Sequence, residues 1–420
     1  MNDDQIKILN LISSGKSVFI TGPGGVGKSF LIKHIKSVFK KKVVSVTALT
    51  GCAAVLIDGT TLHSWSGLSP DSIDQPIEYI VDNIRYKPKQ RWKKTHVLII
   101  DEISMLSKNI FEKLNVIGQT IRKNNKPFGG IQIIVSGDFF QLPPIIKGNT
   151  LDVDKFCFCS SVWNDMFCNT TVELSKIMRQ TDIQFIKVLN KIRKGIIDKD
   201  VINMLESRVN LEYINDIIPT QLFSMRHEVD NINNMHLVEL DNIQVHKWST
   251  QQLSGHHINK QLRSTLIKQW ENDCQCEQQL FLAVGAQVVL LHNALQEAYN
   301  LINGSRGVII EFNNDGDPIV QFKDVTIAIP KHSWEFENHS SGLKYKIIQY
   351  PLKLAWALTI HKSQGMSLDC VIIDINNVFE EGQAYVALSR VKCLEGLFIK
   401  NMNPSKIKAN QTVINYYCNI

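Results

Sequence analysis

No stretch of this 420-residue chain stays apolar for the ~18 residues a membrane-crossing helix needs, so an integral span is excluded. Zinc-spaced cysteines are missing too. The nine cysteines are an odd number, and no Cys-x-x-Cys pair occurs. The Cys157/Cys159 and Cys274/Cys276 pairs have no histidine at the usual offsets. No structural metal is therefore expected, and free, mostly buried thiols in a reducing compartment are. Internal repeats, low-complexity segments and long linkers are also lacking. The first residues, Met1-Asn2-Asp3-Asp4-Gln5, are polar and acidic, unlike a secretory or organellar leader. What remains is an ordinary globular composition, 44% hydrophobic and 20% charged, on a chain long enough for two to four domains.

The charge balance, +6 with a pI near 8.7, leans toward a polyanionic partner. The clustering says more than the sum. Arg85-Tyr86-Lys87-Pro88-Lys89-Gln90-Arg91-Trp92-Lys93-Lys94 holds six cations and two aromatics in ten residues. Cations for phosphates and rings for bases suit single-stranded nucleic acid; a merely solvated basic face is the competing reading.

One motif is sharp. Gly22-Pro23-Gly24-Gly25-Val26-Gly27-Lys28-Ser29 reads as a phosphate-binding loop. The apolar run Ser17–Thr21 before it suits a buried parallel strand, and the apolar spacing of Phe30–Ile35 after it suits a helix. Glycines let backbone N–H groups close around phosphates, and the helix N-terminus adds a favourable dipole. Lys28 would reach the terminal phosphates and the Ser29 hydroxyl would ligate Mg²⁺. This chain is expected to bind a nucleoside triphosphate.

Candidate strands at Val18–Thr21, Val43–Thr47, Val97–Ile100 and Ile133–Ser136 alternate with helical patterns. They predict a parallel sheet covered on both faces, with ligands at the carboxyl ends of its strands. Thr220–Ser224 is a further short strand. From about Phe281 to Tyr350 short β runs at Ala286–Leu291, Val308–Phe312, Ile319–Phe322 and Thr326–Ile329 give a small, barrel-like all-β pattern. The α/β texture returns after Pro351, with strands at Val371–Ile375 and Leu397–Lys400. The β piece thus reads as an insertion into a second α/β domain that begins near Thr171.

Val97–Ile100 ends in Asp101-Glu102. Asp101 at a strand tip would hold Mg²⁺ through water, and Glu102 would orient and deprotonate an attacking water. Phosphoryl transfer to water also needs cations against the developing charge; Arg179 and Arg390 are the candidates, both assigned to the second α/β unit. In Gly137–Pro144, Gln141 at a strand tip could hydrogen-bond a γ-phosphate and report its loss.

Taken together, these residues resemble a superfamily 1 helicase of the Pif type, the RecD-like branch that runs 5′ to 3′. Gln5 stands at that family's adenine-reading glutamine. Thr47–Ala54 followed by Gly59–Ser64 is similar to its first strand-contacting motif, Asp101–Met105 to its Mg²⁺ box, and Phe128–Gln132 leading into Gly137–Pro144 to the stretch that separates Pif helicases from RecD relatives. Leu174–Gln180 matches the motif bearing one arginine finger, and Gly382–Arg390 the motif bearing the second. Val284–Val288 and Asn303–Gly307 look like an SH3-like insertion, and Pro351–Gly365 like the motif coupling nucleotide to the strand. Leu49 stands where the family often has proline. The match runs in unbroken order from Gln5 to Lys400.

The resemblance implies two RecA-like P-loop domains. The first is 1–61 and 96–170, with a wedge insertion at 62–95; the second is 171–242 and 350–420, with 243–349 inserted as a segment containing the SH3-like barrel. It implies ATP and Mg²⁺ held by Gln5, Gly22, Gly24, Gly25, Val26, Gly27, Lys28, Ser29, Phe30 and Gly365, with Asp101 as the other metal ligand. Catalysis would rest on Lys28, Asp101, Glu102, Gln141, Arg179 and Arg390, and strand contacts on Thr47, Thr61, His63, Thr359, His361 and Lys362. The implied activity is ATP-driven 5′-to-3′ travel on single-stranded DNA by a monomeric motor that opens duplexes, forks or structured DNA, with RNA–DNA hybrids and quadruplexes as further candidate substrates. Opening one base-pair step costs roughly 1–2 kcal/mol of stacking, within reach of one phosphoanhydride bond. A nucleic-acid-stimulated translocase that leaves duplexes closed, and an ATP-gated DNA-binding protein, stay open as alternatives. A GTP switch does not, for want of a guanine-reading motif.

Overall fold

The computed structural model describes residues 2–39, 42–68, 75–146, 151–213, 218–255, 258–274, 276–292, 295–299, 301, 303–338 and 342–420. Two units emerge. The first is Met1–Arg179 with Arg193–Gly195 and Lys408–Ile420; the second is Gln180–Ile192 with Ile196–Ile407.

In the first unit, strands β1 (Val18–Thr21), β2 (Val44–Ala48), β3 (Thr60–Thr61), β4 (Val97–Asp101), β5 (Gln132–Ser136) and β6 (Thr171–Glu173) form one sheet. Their order is β3-β2-β4-β5-β1-β6 and every pair is parallel. The near-continuous apolar runs are explained by burial on both faces. Successive residues go to opposite sides: Phe19, Leu98, Ile100, Ile133 and Val135 enter one core, while Val18, Ile20, Val97, Ile99 and Ile134 enter the other. The first core is rich in rings, with Phe19, Phe111, Phe139 and Phe167 all packed around Trp163 at centroid separations of 4.6–5.5 Å. Each such pair adds about 0.5–1.5 kcal/mol beyond its buried area.

The expected boundary near Thr171 is corrected. Only three residues long and without marked alternation, β6 is too short to read as a strand, yet it pairs with β1 as the last strand of this sheet. The helix Gln411–Cys418, expected in the second domain, likewise belongs to the first unit, where Val413 is fully buried.

The segment expected as a wedge carries helices Leu62–Ser66, Ile77–Asn83 and Tyr86–Lys94; its residues 69–74 lie outside the described ones. The basic run is the third of these helices, and its two rings part company. Trp92 is fully buried against Trp65, 4.6 Å between centroids, with its indole N–H donating to Ser66 O at 3.0 Å. Arg91 is also structural, donating to the carbonyls of Trp65 and Ser64. Arg85, Tyr86, Lys93 and Lys94 are exposed.

The second unit is built on a four-stranded parallel sheet of β7 (Thr220–Phe223), β18 (Ala357–Thr359), β19 (Val371–Asp374) and β20 (Leu397–Asn401), in the order β18-β7-β19-β20. Between β7 and β18 lie three antiparallel sheets. β8 (Gln244–Lys247) pairs with β10 (Gln279–Leu282). β11 (Gln287–Leu290), β12 (Arg306–Phe312), β13 (Pro318–Phe322), β14 (Thr326–Ala328) and β17 (Leu352–Leu354) run in the order β14-β13-β12-β11-β17. β15 (His332–Asn338) and β16 (Leu343–Gln349) join β9 (Ser249–Ser254). The β region therefore starts at Gln244, inside the 243–349 insertion but some forty residues before the barrel-like run read from Phe281, and holds more than one small sheet, because β8 and β9 are polar and partly exposed and carry little apolar alternation.

Among the described residues no helix is long and apolar enough to cross a membrane.

Candidate nucleotide site

The helix Lys28–Val38 starts without a side-chain cap; Gly27 at its N-cap has φ 87°. Its first N–H groups thus remain available to an anion, with the helix dipole behind them. Lys28 donates from Nζ to Gly22 O at 2.6 Å and Pro23 O at 3.0 Å, so the ammonium rests inside its own loop. Burial lowers its pKa, and the carboxylates of Asp138, Glu102 and Asp101 oppose that shift.

Two loop glycines are required by what crosses over them. Gly22 has φ 135° and a Cβ there would lie 2.4 Å from Leu174 O; Gly25 has φ 85° and a Cβ there would lie 2.6 Å from Arg179 Cβ. The segment after β6 is laced to this loop by Leu174 N–H to Thr21 O and Met178 N–H to Gly25 O, each 2.8 Å. Arg179 accordingly belongs to the first unit, beside the phosphate loop, and not to the second as expected. The physical reason is the β1–β6 pairing, which delivers the chain across the loop.

The remaining acidic and amide candidates follow adjacent strands. Asp101 ends β4, 4% exposed, with its carboxyl pushed up by burial and pulled back by the Lys28 charge. Glu102 follows in the left-handed region at φ 55°. Gln141 sits after β5, 5% exposed, its backbone N–H donating to Asp138 O at 2.9 Å. Ser29 and Phe30 are exposed on the first turn of the helix, and Val26 is buried. Gln5 caps its own helix: its Oε1 accepts from Asn2 N–H at 3.1 Å, and its Nε2 lies 3.9 Å from where a Cβ on Gly27 would be. The nucleotide candidates of the first unit thus gather around the carboxyl ends of the adjacent inner strands β4, β5 and β1.

Arg390 and Gly365 are described within the second unit. Arg390 is 1% exposed. Its Nε donates to Val386 O at 2.7 Å, Nη1 to Ser363 O at 3.4 Å and Nη2 to Ser389 Oγ at 2.7 Å. Gly365 is exposed, with φ 82°, just past the short helix Ile360–Ser363.

Of the strand-contact candidates, Thr47 is corrected. It is fully buried and its hydroxyl donates to Ile99 O at 2.7 Å, a bond inside the sheet that leaves it no surface to offer a strand. The others form a matched pair of devices. Thr61 ends β3 and caps Leu62–Ser66, accepting from Ser64 N–H at 3.3 Å; Thr359 ends β18 and caps Ile360–Ser363, accepting from Lys362 N–H at 3.2 Å. Both strands are at the edge of their sheet, and both threonines are followed two residues later by a histidine, His63 or His361. Burial lowers the pKa of each histidine. Lys362 is exposed.

Family comparison matches residues 1–202 to the PIF1-like helicase description and residues 269–312 to the 2B domain of DNA helicase Pif1. A crystal structure of Pif1 helicase from Candida albicans is 35% identical, with a TM-score of 0.78, over 100% of this chain and 99% of that one. The chain belongs to the PIF1-like helicase family. The ATP-dependent DNA helicase PIF1 of Xenopus laevis is 41% identical over 99% of this chain and 64% of its own length, so the chain spans less than two thirds of such relatives. A crystal structure of Pif1 helicase from Bacteroides in complex with ADP-AlF3 and ssDNA is 29% identical, with a TM-score of 0.66, covering 99% of this chain and 96% of that one. As in the Pif1 structures, the parallel sheets of the two units are RecA-like domains.

Sequence reasoning missed one group in this PIF1-like site. Arg193, 3% exposed, forks onto fully buried Asp138, Nε to Oδ2 and Nη2 to Oδ1, each 2.9 Å, and its Nη1 reaches Glu173 Oε1 at 3.0 Å. Phe140 and Tyr417 flank the guanidinium, 4.8 and 5.4 Å from their centroids. The available signal was a single arginine closing an amphipathic helix, Ile183–Arg193, next to Lys191 and Lys194, and nothing in that pattern separates it from its solvated neighbours.

Proposed function

We propose that this protein is an ATP-dependent DNA helicase that travels 5′ to 3′ on single-stranded DNA and opens duplexes at single-strand/double-strand junctions. The observation that carries this reading is the gathering of the Lys28 loop, Asp101-Glu102 and the Gln141 loop at the carboxyl ends of the neighbouring inner strands β1, β4 and β5 in a chain of the PIF1-like family. The nucleotide and single strand bound to the Bacteroides relative support it by analogy.

In this reading Lys28 leaves the carbonyls of Gly22 and Pro23 for the terminal phosphates, which offer it stronger, charge-assisted acceptors. Glu102 orients the attacking water and takes its proton, Gln141 hydrogen-bonds the γ-phosphate, and Arg179, already beside the loop, faces the charge that develops on it. Arg390 acts as the second finger by exchanging its acceptors in the second unit for phosphate oxygens. The Ser29 hydroxyl and the Asp101 carboxylate suit Mg²⁺: both are hard oxygen donors, and no cluster of three or more His, Cys, Asp or Glu poised for another metal occurs among the described residues. When bound there, Mg²⁺ would neutralise charge on the phosphates. Thr61, His63, Thr359, His361 and Lys362 are the strand contacts, through phosphate hydrogen bonds and base stacking. Exposed Lys93, Lys94 and Tyr86 present charge and a ring to the fork.

A strand-displacement assay with 5′-tailed and 3′-tailed forks tests the proposal. Unwinding of the 5′-tailed fork alone is expected. DNA-stimulated ATP turnover without displacement of either fork would leave a translocase, and absence of DNA-stimulated turnover would leave an ATP-gated binding protein.

A further inference from the structure

The helix Gln411–Cys418 carries no residue that the proposed reaction uses, yet it reaches the base of the nucleotide site. Tyr416 anchors it: its ring stacks on Phe158 at 4.3 Å between centroids, and its hydroxyl accepts from Trp163 Nε1–H at 2.9 Å. Tyr417 does something different. Its phenol oxygen lies 2.6 Å from Thr21 Oγ1 and accepts from Phe139 N–H at 3.2 Å. Thr21 is the last residue of β1, immediately before Gly22 and the phosphate loop, and Phe139 lies in the loop after β5, two residues before Gln141. Because β1 and β5 are adjacent parallel strands, one oxygen atom bridges the two loops proposed to meet the phosphates.

The ring is held as firmly as the hydroxyl. Phe140 stacks on it at 4.7 Å and 21°, and the guanidinium that forks onto Asp138 lies 5.4 Å over it. Burial, with the charge of Asp138, pushes the Tyr417 hydroxyl well above its ordinary range, so it stays a neutral donor and acceptor at any working pH.

We infer that Tyr417 is a positioning residue for ATP hydrolysis, whose hydroxyl fixes the phosphate loop and the Gln141 loop in register with one another. This rests on the nucleotide reading of the site given above. A loop offset of about 1 Å at reacting groups can cost up to ~100-fold in rate, so a bridge that sets two such loops acts on turnover and less on binding.

The test is steady-state ATPase of the full chain with saturating single-stranded DNA, comparing wild type with Tyr417→Phe, Thr21→Val and the double variant. Tyr417→Phe keeps the stacked ring and removes only the bridging oxygen; Thr21→Val keeps the shape of the other partner. Expected is a fall in kcat of about tenfold for Tyr417→Phe with KM for ATP changed less than about twofold. Thr21→Val is expected to fall in the same direction, and the double variant to fall no further than the worse single, as two ends of one bridge do. A kcat for Tyr417→Phe within about twofold of wild type, a rise in KM alone, or additive losses in the double variant would overturn the inference. If wild type itself lacks DNA-stimulated turnover, the functional reading fails and not this bridge, whose presence Tyr417→Phe then still reports as a loss of thermal stability.

Discussion

Replacing Arg193 by alanine removes the only side chain that forms an ion pair with the Asp138 carboxylate among the described residues and leaves that carboxylate fully buried. Breaking a buried pair by deleting one partner costs about 3–5 kcal/mol. The charge of Lys28 also acts on Asp138, which sets the value near the lower end, ~3 kcal/mol. The contact to Glu173, whose side chain is 49% exposed, adds less than ~1 kcal/mol because solvent screens it. For a unit of roughly 200 residues each kcal/mol moves Tm by about 2–4 °C, so the first unit should melt roughly 6–12 °C lower. Differential scanning calorimetry without nucleotide measures this. The companion Asp138→Asn/Arg193→Met removes both charges and should recover at least half the loss, since the penalty lies in the stranded carboxylate and not in the missing attraction. A shift under about 2 °C for Arg193→Ala, or a double variant as unstable as the single, would refute the reasoning.

Lys28→Ala should abolish ATP turnover and unwinding while single-strand binding, followed by fluorescence anisotropy, stays near wild type. Gly25→Ala forces a φ of 85° on an L side chain and sets its Cβ against Arg179, so nucleotide affinity should drop at least tenfold by fluorescent-nucleotide titration, with little change in fold by circular dichroism. Trp92→Ala should destabilise the first unit by about 3–5 kcal/mol in chemical denaturation, whereas Lys93→Glu with Lys94→Glu should leave stability alone and weaken fork binding with a shallower salt dependence. His292, stacked on His332 at 4.4 Å, is pushed down to about 4 by burial and by its neighbour. Its folded pKa is depressed, so its contribution to stability is full above ~6.5 and is lost as pH falls toward about 4; melting of the second unit at pH 5 against pH 7.5 should show the drop, and His292→Gln should shrink it.

Much of the first domain was legible because its signals are local. A phosphate loop must lie between a strand and a helix, and parallel strands buried on both faces announce themselves as unbroken apolar runs, as Val97–Ile100 does. Weak signals failed where partners lie far away in sequence. Thr171–Glu173 is a strand only because β1 is there to pair with it, and β3, two residues long, is one only because β2 is. Trp92 looked like a stacking platform among cations, yet helical geometry turned it inward onto Trp65 and left its neighbours in water.

The chain order of residue types by itself determined that a triphosphate loop, a strand-tip acidic pair and two arginine-bearing motifs exist, since each is a run of neighbouring residues with its own chemistry. Only the tertiary structure decided that Arg179 sits with the phosphate loop, that Thr47 is sealed in the sheet, and that Asp138, Arg193 and Tyr417 converge behind the site. Those three positions are spread from 138 to 417 along the chain, and a buried charge or hydroxyl takes its meaning from whichever partner the fold brings to within 3 Å of it.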